Sequence, residues 1–223
     1  MNASLMNGIQ KIDMPIPLED ATLQGDLIVP PDAKGLVLFS HGSGSSRKSP
    51  RNRWVAEELH RAGFGTLLFD LLTMHEDEVE DLRFDIPLLT DRLTAITRWV
   101  YKQPALRALP IGLFGASTGA ASALNTAAAL PQLVKAVVSR GGRPDLAMEA
   151  LPRVRAATLL IVGGWDGPVI DMNRTAYDEL QCVKRLAIVE GATHLFEEPG
   201  KLEDVARLAM EWYGLYLQQR AGT

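Results

Sequence analysis

Six short, almost wholly apolar runs recur along the chain, each closed by glycine, serine, aspartate or histidine: GLVLFSHG (35–42), GTLLFDLL (65–72), LPIGLFGAS (109–117), VKAVVSRGG (134–142), ATLLIVGGWD (157–166) and VKRLAIVEGATH (183–194). Unbroken apolarity over about five residues, in place of alternation, marks strands of a parallel sheet covered on both faces. Segments of helical period lie between them. In PRNRWVAEELHRAG, Val55, Leu59 and Ala62 share one face, Ser49 stands at the N-cap, Pro50 suits the first turn and Gly63 the stop. FDIPLLTDRLTAITRWVYKQ, TGAASALNTAAAL and KLEDVARLAMEWYGLYLQQ read as three further helices, and the first thirty residues as an antiparallel hairpin. The alternation predicts an α/β fold: a doubly wound, mostly parallel sheet with helices on both faces, in a single domain over residues 1–223. Such sheets bind ligands beyond the carboxyl ends of their strands, so functional side chains are expected directly after the apolar runs.

Composition narrows the classes. With 47% apolar and 22% charged residues in 223, the chain has ordinary globular make-up and needs no metal or disulfide to complete a core. A net charge of −4 argues against a nucleic-acid partner. One cysteine, Cys182, precludes an internal disulfide; it is read as a small apolar residue in a helix-like segment. No apolar run approaches bilayer-spanning length, and MNASLMNGIQKIDMP lacks the basic and apolar regions of a signal peptide. The expectation is a cytoplasmic protein without a membrane partner. Oligomeric state leaves no mark in the sequence.

The chemistry centres on Gly115-Ala116-Ser117-Thr118-Gly119, which joins the strand LPIGLF to a helix of small residues. G-x-S-x-G at a strand-to-helix turn is a nucleophile elbow: the turn is tight, its flanking residues must lack bulk, and the serine projects above the sheet edge. A serine hydroxyl needs a base, and the base an orienting acid. Asp166 follows the strand TLLIVGG, and His194 follows RLAIVEG. The order Ser117, Asp166, His194 therefore places a nucleophile, an acid and a base each after its own strand. Asp70 also ends a strand but precedes the serine. His60 lies within a helix and is read as a surface residue, and His75 sits in the acidic run HEDEVED, where a solvated loop is a more ordinary reading than a metal site.

GLFGASTGAA, LLIVGGWDGPV, GATHLFEEPG and the Ser-His-Gly strand end resemble the dienelactone hydrolase-related branch of the α/β-hydrolase superfamily over nearly the whole chain. One departure is that dienelactone hydrolases proper carry cysteine in the elbow, where this chain has Ser117. The resemblance implies an α/β-hydrolase fold and a serine hydrolase acting on small esters, thioesters or lactones, without metal or organic cofactor. It also implies an oxyanion hole made by the backbone N–H groups of Thr118 and of Ser43, the residue after His41-Gly42. Acyl transfer or perhydrolysis on the same triad, and a non-catalytic ligand-binding module, are the alternatives. The span from Ser139 to Ala157 is too short for a large lid domain.

The stretch SHGSGSSRKSPRN (40–52) has G-x-G but neither the third glycine nor the G-K-[ST] of a phosphate cradle. Its histidine, His41, is expected to brace the loop. Its basic residues, with Arg53, oppose a helix dipole, so they require partners. The acidic run from Glu76 to Asp81 is the expected partner, with Arg47 as a substrate-reading cation the alternative. Arg140 and Arg143, after the strand that ends in SRGGRPD, pose the same choice between a substrate carboxylate and an acidic loop, and Trp165, Leu195 and Phe196 are either pocket lining or core.

Overall fold

The computed structural model describes residues 2–6 and 9–217. The six apolar runs form β4 (Leu36–Ser40), β5 (Gly65–Phe69), β6 (Ile111–Ala116), β7 (Val134–Arg140), β8 (Ala157–Gly163) and β9 (Lys184–Val189). Before them, β1 (Asn2–Met6), β2 (Ile9–Pro17) and β3 (Thr22–Val29) form an antiparallel meander, one strand longer than the expected hairpin. The sheet order is β1-β2-β3-β5-β4-β6-β7-β8-β9, with β3 antiparallel to β5 and every later pairing parallel. This is the doubly wound, mostly parallel sheet that the alternating pattern requires.

Helices cover both faces. Helix α1 (Pro50–Arg61) starts where Ser49 Oγ accepts from the Asn52 amide at 3.3 Å, with Pro50 in the first turn. α2 (Met74–Asp77) is a single turn closed by a Thr73–Glu76 capping box. α3 (Ile86–Lys102) is capped by Asp85, whose carboxylate accepts from the Leu88 amide at 2.9 Å. α4 (Gly119–Ala129), α5 (Gly167–Glu179) and α6 (Lys201–Tyr216) complete the set. Buried side chains divide by strand parity. Val37, Phe39, Phe114 and Val138 pack with α1 and α6, whereas Leu36, Leu38, Leu113 and Val137 pack with α3, α4 and α5. Phe39 and Phe114 stack at 4.8 Å across neighbouring strands. Tyr213 of α6 is fully buried, its hydroxyl donating to the Leu113 carbonyl at 2.7 Å.

Two elements differ from the sequence expectation. α5 has a thin buried stripe, Val169, Asn173 and Ala176, one member of which is polar, so its period is faint in the sequence. It ends at Glu179, which leaves Cys182 in the bend before β9, half-buried against the core and outside any helix. The acidic run, expected as a loop, folds into α2 and a 3-10 turn over Glu80–Phe84. Among the described residues, no helix is long and apolar enough to cross a membrane.

His60 in α1 is not the surface residue expected from the sequence but part-buried against Thr66, which has a consequence for stability. Its Nε2 lies 2.6 Å from Thr66 Oγ1, and burial pushes its pKa from 6.5 down to about 4. The unfolded chain therefore takes up the proton first as pH falls. Stability should be lost progressively between about pH 6.5 and 4, on the order of 2 kcal/mol given partial exposure of the ring. Urea midpoints for the wild type and His60→Gln at pH 7 and pH 4.5 measure this. The variant is expected to show the smaller drop, and equal drops would refute the assignment.

Candidate active site

The all-buried strand β6 runs into Ser117, whose φ of 52° lies in the left-handed region. A non-glycine residue held there costs roughly 1–3 kcal/mol unless its surroundings over-determine it. Here they do. The Ser117 amide donates to the Arg140 carbonyl at 3.2 Å, and its carbonyl accepts from the Ala120 and Arg143 amides at 3.1 and 3.0 Å. A Cβ on Gly115 would stand 2.5 Å from Ala120 Cα, and one on Gly119 would stand 2.2 Å from the Ser40 carbonyl oxygen. Both glycines of the G-x-S-x-G pattern are thus required by backbone approach.

The loops after β8 and β9 are drawn together by the Trp165 amide, which donates to the Ala192 carbonyl at 2.9 Å. Across that junction His194 Nδ1 lies 2.6 Å from Asp166 Oδ2. A carboxylate only accepts, so the proton sits on Nδ1 and Nε2 keeps a lone pair. Against His194 lies Gly141, where a Cβ would be 3.4 Å from Cε1 and 3.5 Å from Nδ1. Gly141 directly follows Arg140, whose carbonyl holds the Ser117 amide, so one short turn borders both the serine and the histidine. Ser117, Asp166 and His194 thus each stand just past the carboxyl end of a strand, β6, β8 and β9, and Asp166 and His194 are in contact. Ser117 Oγ has no hydrogen-bond partner among the described residues. Asp70, the rival acid, is engaged elsewhere, accepting from the Arg47 amide and Nε at 2.9 and 3.1 Å.

The loop after β4 closes over the serine. Gly42 is the contact point: a Cβ there would lie 3.0 Å from Ser117 Cβ and 3.1 Å from the Ala116 carbonyl oxygen. His41 braces the loop, Nε2 accepting from the Leu71 amide at 3.1 Å and Nδ1 donating to the Gly42 carbonyl at 3.0 Å. Burial lowers its pKa, which keeps it neutral and able to accept. The Ser43 amide donates to Thr118 Oγ1 at 2.9 Å, whereas the Thr118 amide has no partner among the described residues.

The basic residues correct the sequence reading. Arg47 does not meet the acidic run: it pairs with Asp26 at 2.7 Å, Asp70 at 3.1 Å and Asp13 at 3.7 Å, and Arg53 joins Asp26 at 3.2 Å. The sheet order explains this, because β3 lies beside β5 and brings Asp26 to the edge that Asp70 ends. With three carboxylates about it, Arg47 is not free to read a substrate. The acidic run turns to other partners, Glu76 to Arg92 at 2.7 Å and Asp77 to Arg83 at 3.2 Å. Arg140 meets no acid among the described residues. It is buried, donating to Asn52 Oδ1 at 3.1 Å, and burial, then repulsion from Arg51, lowers its pKa to about 10. Arg143 makes a bidentate pair with Asp145 at 2.8 and 2.9 Å. Phe196 is core, whereas Trp165, 70% exposed, and Leu195 stand at the surface beside Asp166 and His194. The Arg143–Asp145 pair is the acidic-loop outcome of the choice the sequence left open for Arg143, whereas Asn52, the partner of Arg140, carries no signal in the sequence.

Comparison with known proteins places this geometry among others. No family model matches the sequence. A crystal structure of a dienelactone hydrolase from Anabaena variabilis is 54% identical and superposes with a TM-score of 0.93, covering 95% of this chain and 100% of that one. Est1E from Butyrivibrio proteoclasticus shares the fold at 16% identity, with a TM-score of 0.76 over 91% of this chain and 99% of its own. Two Mycobacterium tuberculosis strains have a protein bearing a provisional phosphoribosyl transferase name that is 53% identical over 206 residues. That match takes in 92% of this chain but 45% of each relative, so the chain spans about half the length of the curated relatives it matches.

Proposed function

The chain belongs to the dienelactone hydrolase-related branch of the α/β-hydrolases, and from that premise we propose that it is a serine hydrolase of small esters, thioesters or lactones. The observation that carries the reading is the 2.6 Å bond between His194 Nδ1 and Asp166. It leaves Nε2 as the basic nitrogen in a loop that shares Gly141 with the elbow of Ser117. In this mechanism His194 Nε2 takes the Ser117 proton as Oγ attacks the acyl carbon. Asp166 holds the imidazole in its tautomer and balances the charge of the imidazolium. The Thr118 and Ser43 amides receive the oxyanion, and His194 returns the proton to the leaving oxygen or sulfur. The acyl-serine ester is then cleaved by a water that His194 deprotonates, which releases the acid and restores Ser117.

The phosphoribosyl transferase name of the M. tuberculosis relatives is not carried over. More than half of each relative lies outside the match, and the loop over Ser43 lacks the glycine and lysine spacing of a phosphate cradle. A fluorophosphonate tests the proposal, because it phosphonylates only a serine with an activating base. Stoichiometric labelling that maps to Ser117 is expected. Absence of labelling in the folded wild type, or labelling mapped to another serine, would remove the serine-hydrolase reading.

A further inference from the structure

The hydrogen bonds around Ser43 leave no freedom in the placement of their protons. The Arg83 carbonyl can only accept, and Ser43 Oγ lies 2.6 Å from it, so the Ser43 hydroxyl donates there. Ser43 Oγ therefore accepts from the Thr118 hydroxyl at 2.9 Å. Thr118 Oγ1 in turn accepts from the Ser43 amide at 2.9 Å. The chain runs from Ser43 N–H to Thr118 Oγ1–H to Ser43 Oγ–H to the Arg83 carbonyl.

Thr118 also stands at the N-cap of α4, where a threonine hydroxyl ordinarily accepts from the helix's first amides, and it makes no such bond. Its hydroxyl is turned instead across the elbow to the loop after β4. Of the two amides that would receive an oxyanion, that of Thr118 has no partner among the described residues and that of Ser43 is engaged by the Thr118 side chain.

We infer that Thr118 is a positioning residue whose hydroxyl fills half of the oxyanion hole at rest, and that the reacting carbonyl oxygen must displace it from the Ser43 amide. This rests on the serine-hydrolase reading above. A neutral carbonyl competes poorly with a hydroxyl already held in place. A developing oxyanion competes well, because charge-assisted hydrogen bonds are about twice as strong as neutral ones. Threonine has a second χ1 well into which the displaced hydroxyl turns. The hole therefore favours the charged oxygen of the transition state over the ground-state carbonyl, and Thr118 sets that discrimination.

Two measurements test this. In a crystal structure of the wild type phosphonylated at Ser117, the phosphoryl oxygen should accept from both the Thr118 and Ser43 amides, with Thr118 Oγ1 turned away. Thr118→Val should raise kcat/KM on a neutral p-nitrophenyl ester about fivefold, the loss of one competing neutral hydrogen bond, mainly through a lower KM. Thr118→Ser, which keeps the hydroxyl, should show none of that gain. A Ser43 amide still bonded to Thr118 Oγ1 in the adduct, or a folded Thr118→Val enzyme that is no faster, would overturn the inference. The adduct decides alone if the valine variant does not fold. Failure of the wild type to label at Ser117 would instead strike the underlying reading.

Discussion

Ser117→Ala should lower kcat on a p-nitrophenyl ester by about 10⁴- to 10⁶-fold and abolish fluorophosphonate labelling. The size of the effect follows from what the remaining groups can do. In the proposed mechanism no acyl-enzyme forms without Oγ, and His194 can at most assist a water molecule, while the proposed amide donors retain their part of the stabilisation. Alanine should be tolerated in the fold, because the strain at φ 52° is held by the backbone bonds to Arg140, Ala120 and Arg143, none of which uses the side chain. Urea denaturation should therefore place the variant within about 1 kcal/mol of the wild type, in the range of a substitution that opens no core cavity. An alanine variant within tenfold of wild-type kcat would show that the hydrolysis proceeds without Ser117.

What the sequence makes legible is local, and what it hides is long-range. Strands β4 to β9 could be read because a parallel strand buried on both faces is an unbroken apolar run, and each was closed by a small or polar residue. The glycines around Ser117 could be read because backbone approach leaves a position no other residue type. Helix α5 could not, because its buried stripe includes Asn173, which makes its bonds to the Gly142 and Val169 carbonyls only once the chain is folded. The partners of Arg47 were hidden for the same reason. Asp13 and Asp26 lie in the amino-terminal meander, and only the antiparallel pairing of β3 with β5 brings them to that edge. Charge pattern along the sequence pointed to the nearest acidic run; sheet order chose differently. The bond from the Ser43 amide to Thr118 Oγ1 lies beyond any pattern, since it joins positions 75 residues apart.

Asp166→Asn should lower kcat by about 10⁴-fold while leaving KM and the fold little changed. The carboxylate accepts the Nδ1 proton of His194 at 2.6 Å, and this alone fixes which nitrogen is basic. An asparagine of the same shape can present its NH₂ to Nδ1 instead. The proton then moves to Nε2, the nitrogen that in the proposed mechanism must accept from Ser117, and no negative charge remains to balance the imidazolium. KM should hold because Asp166 is part-buried, its side chain 15% exposed, and meets the Nδ1 edge of the imidazole, opposite the Nε2 that the proposed mechanism turns to Ser117. Asp70→Asn supplies the contrast that separates acid from architecture. Asp70 accepts from Arg47 and is not in contact with His194, so its loss should lower the urea midpoint and leave kcat within about threefold of wild type, as expected of a substitution away from the reacting groups. If the two aspartates exchanged these behaviours, Asp70 would be the orienting acid, and the bond to Asp166 would be a structural contact only.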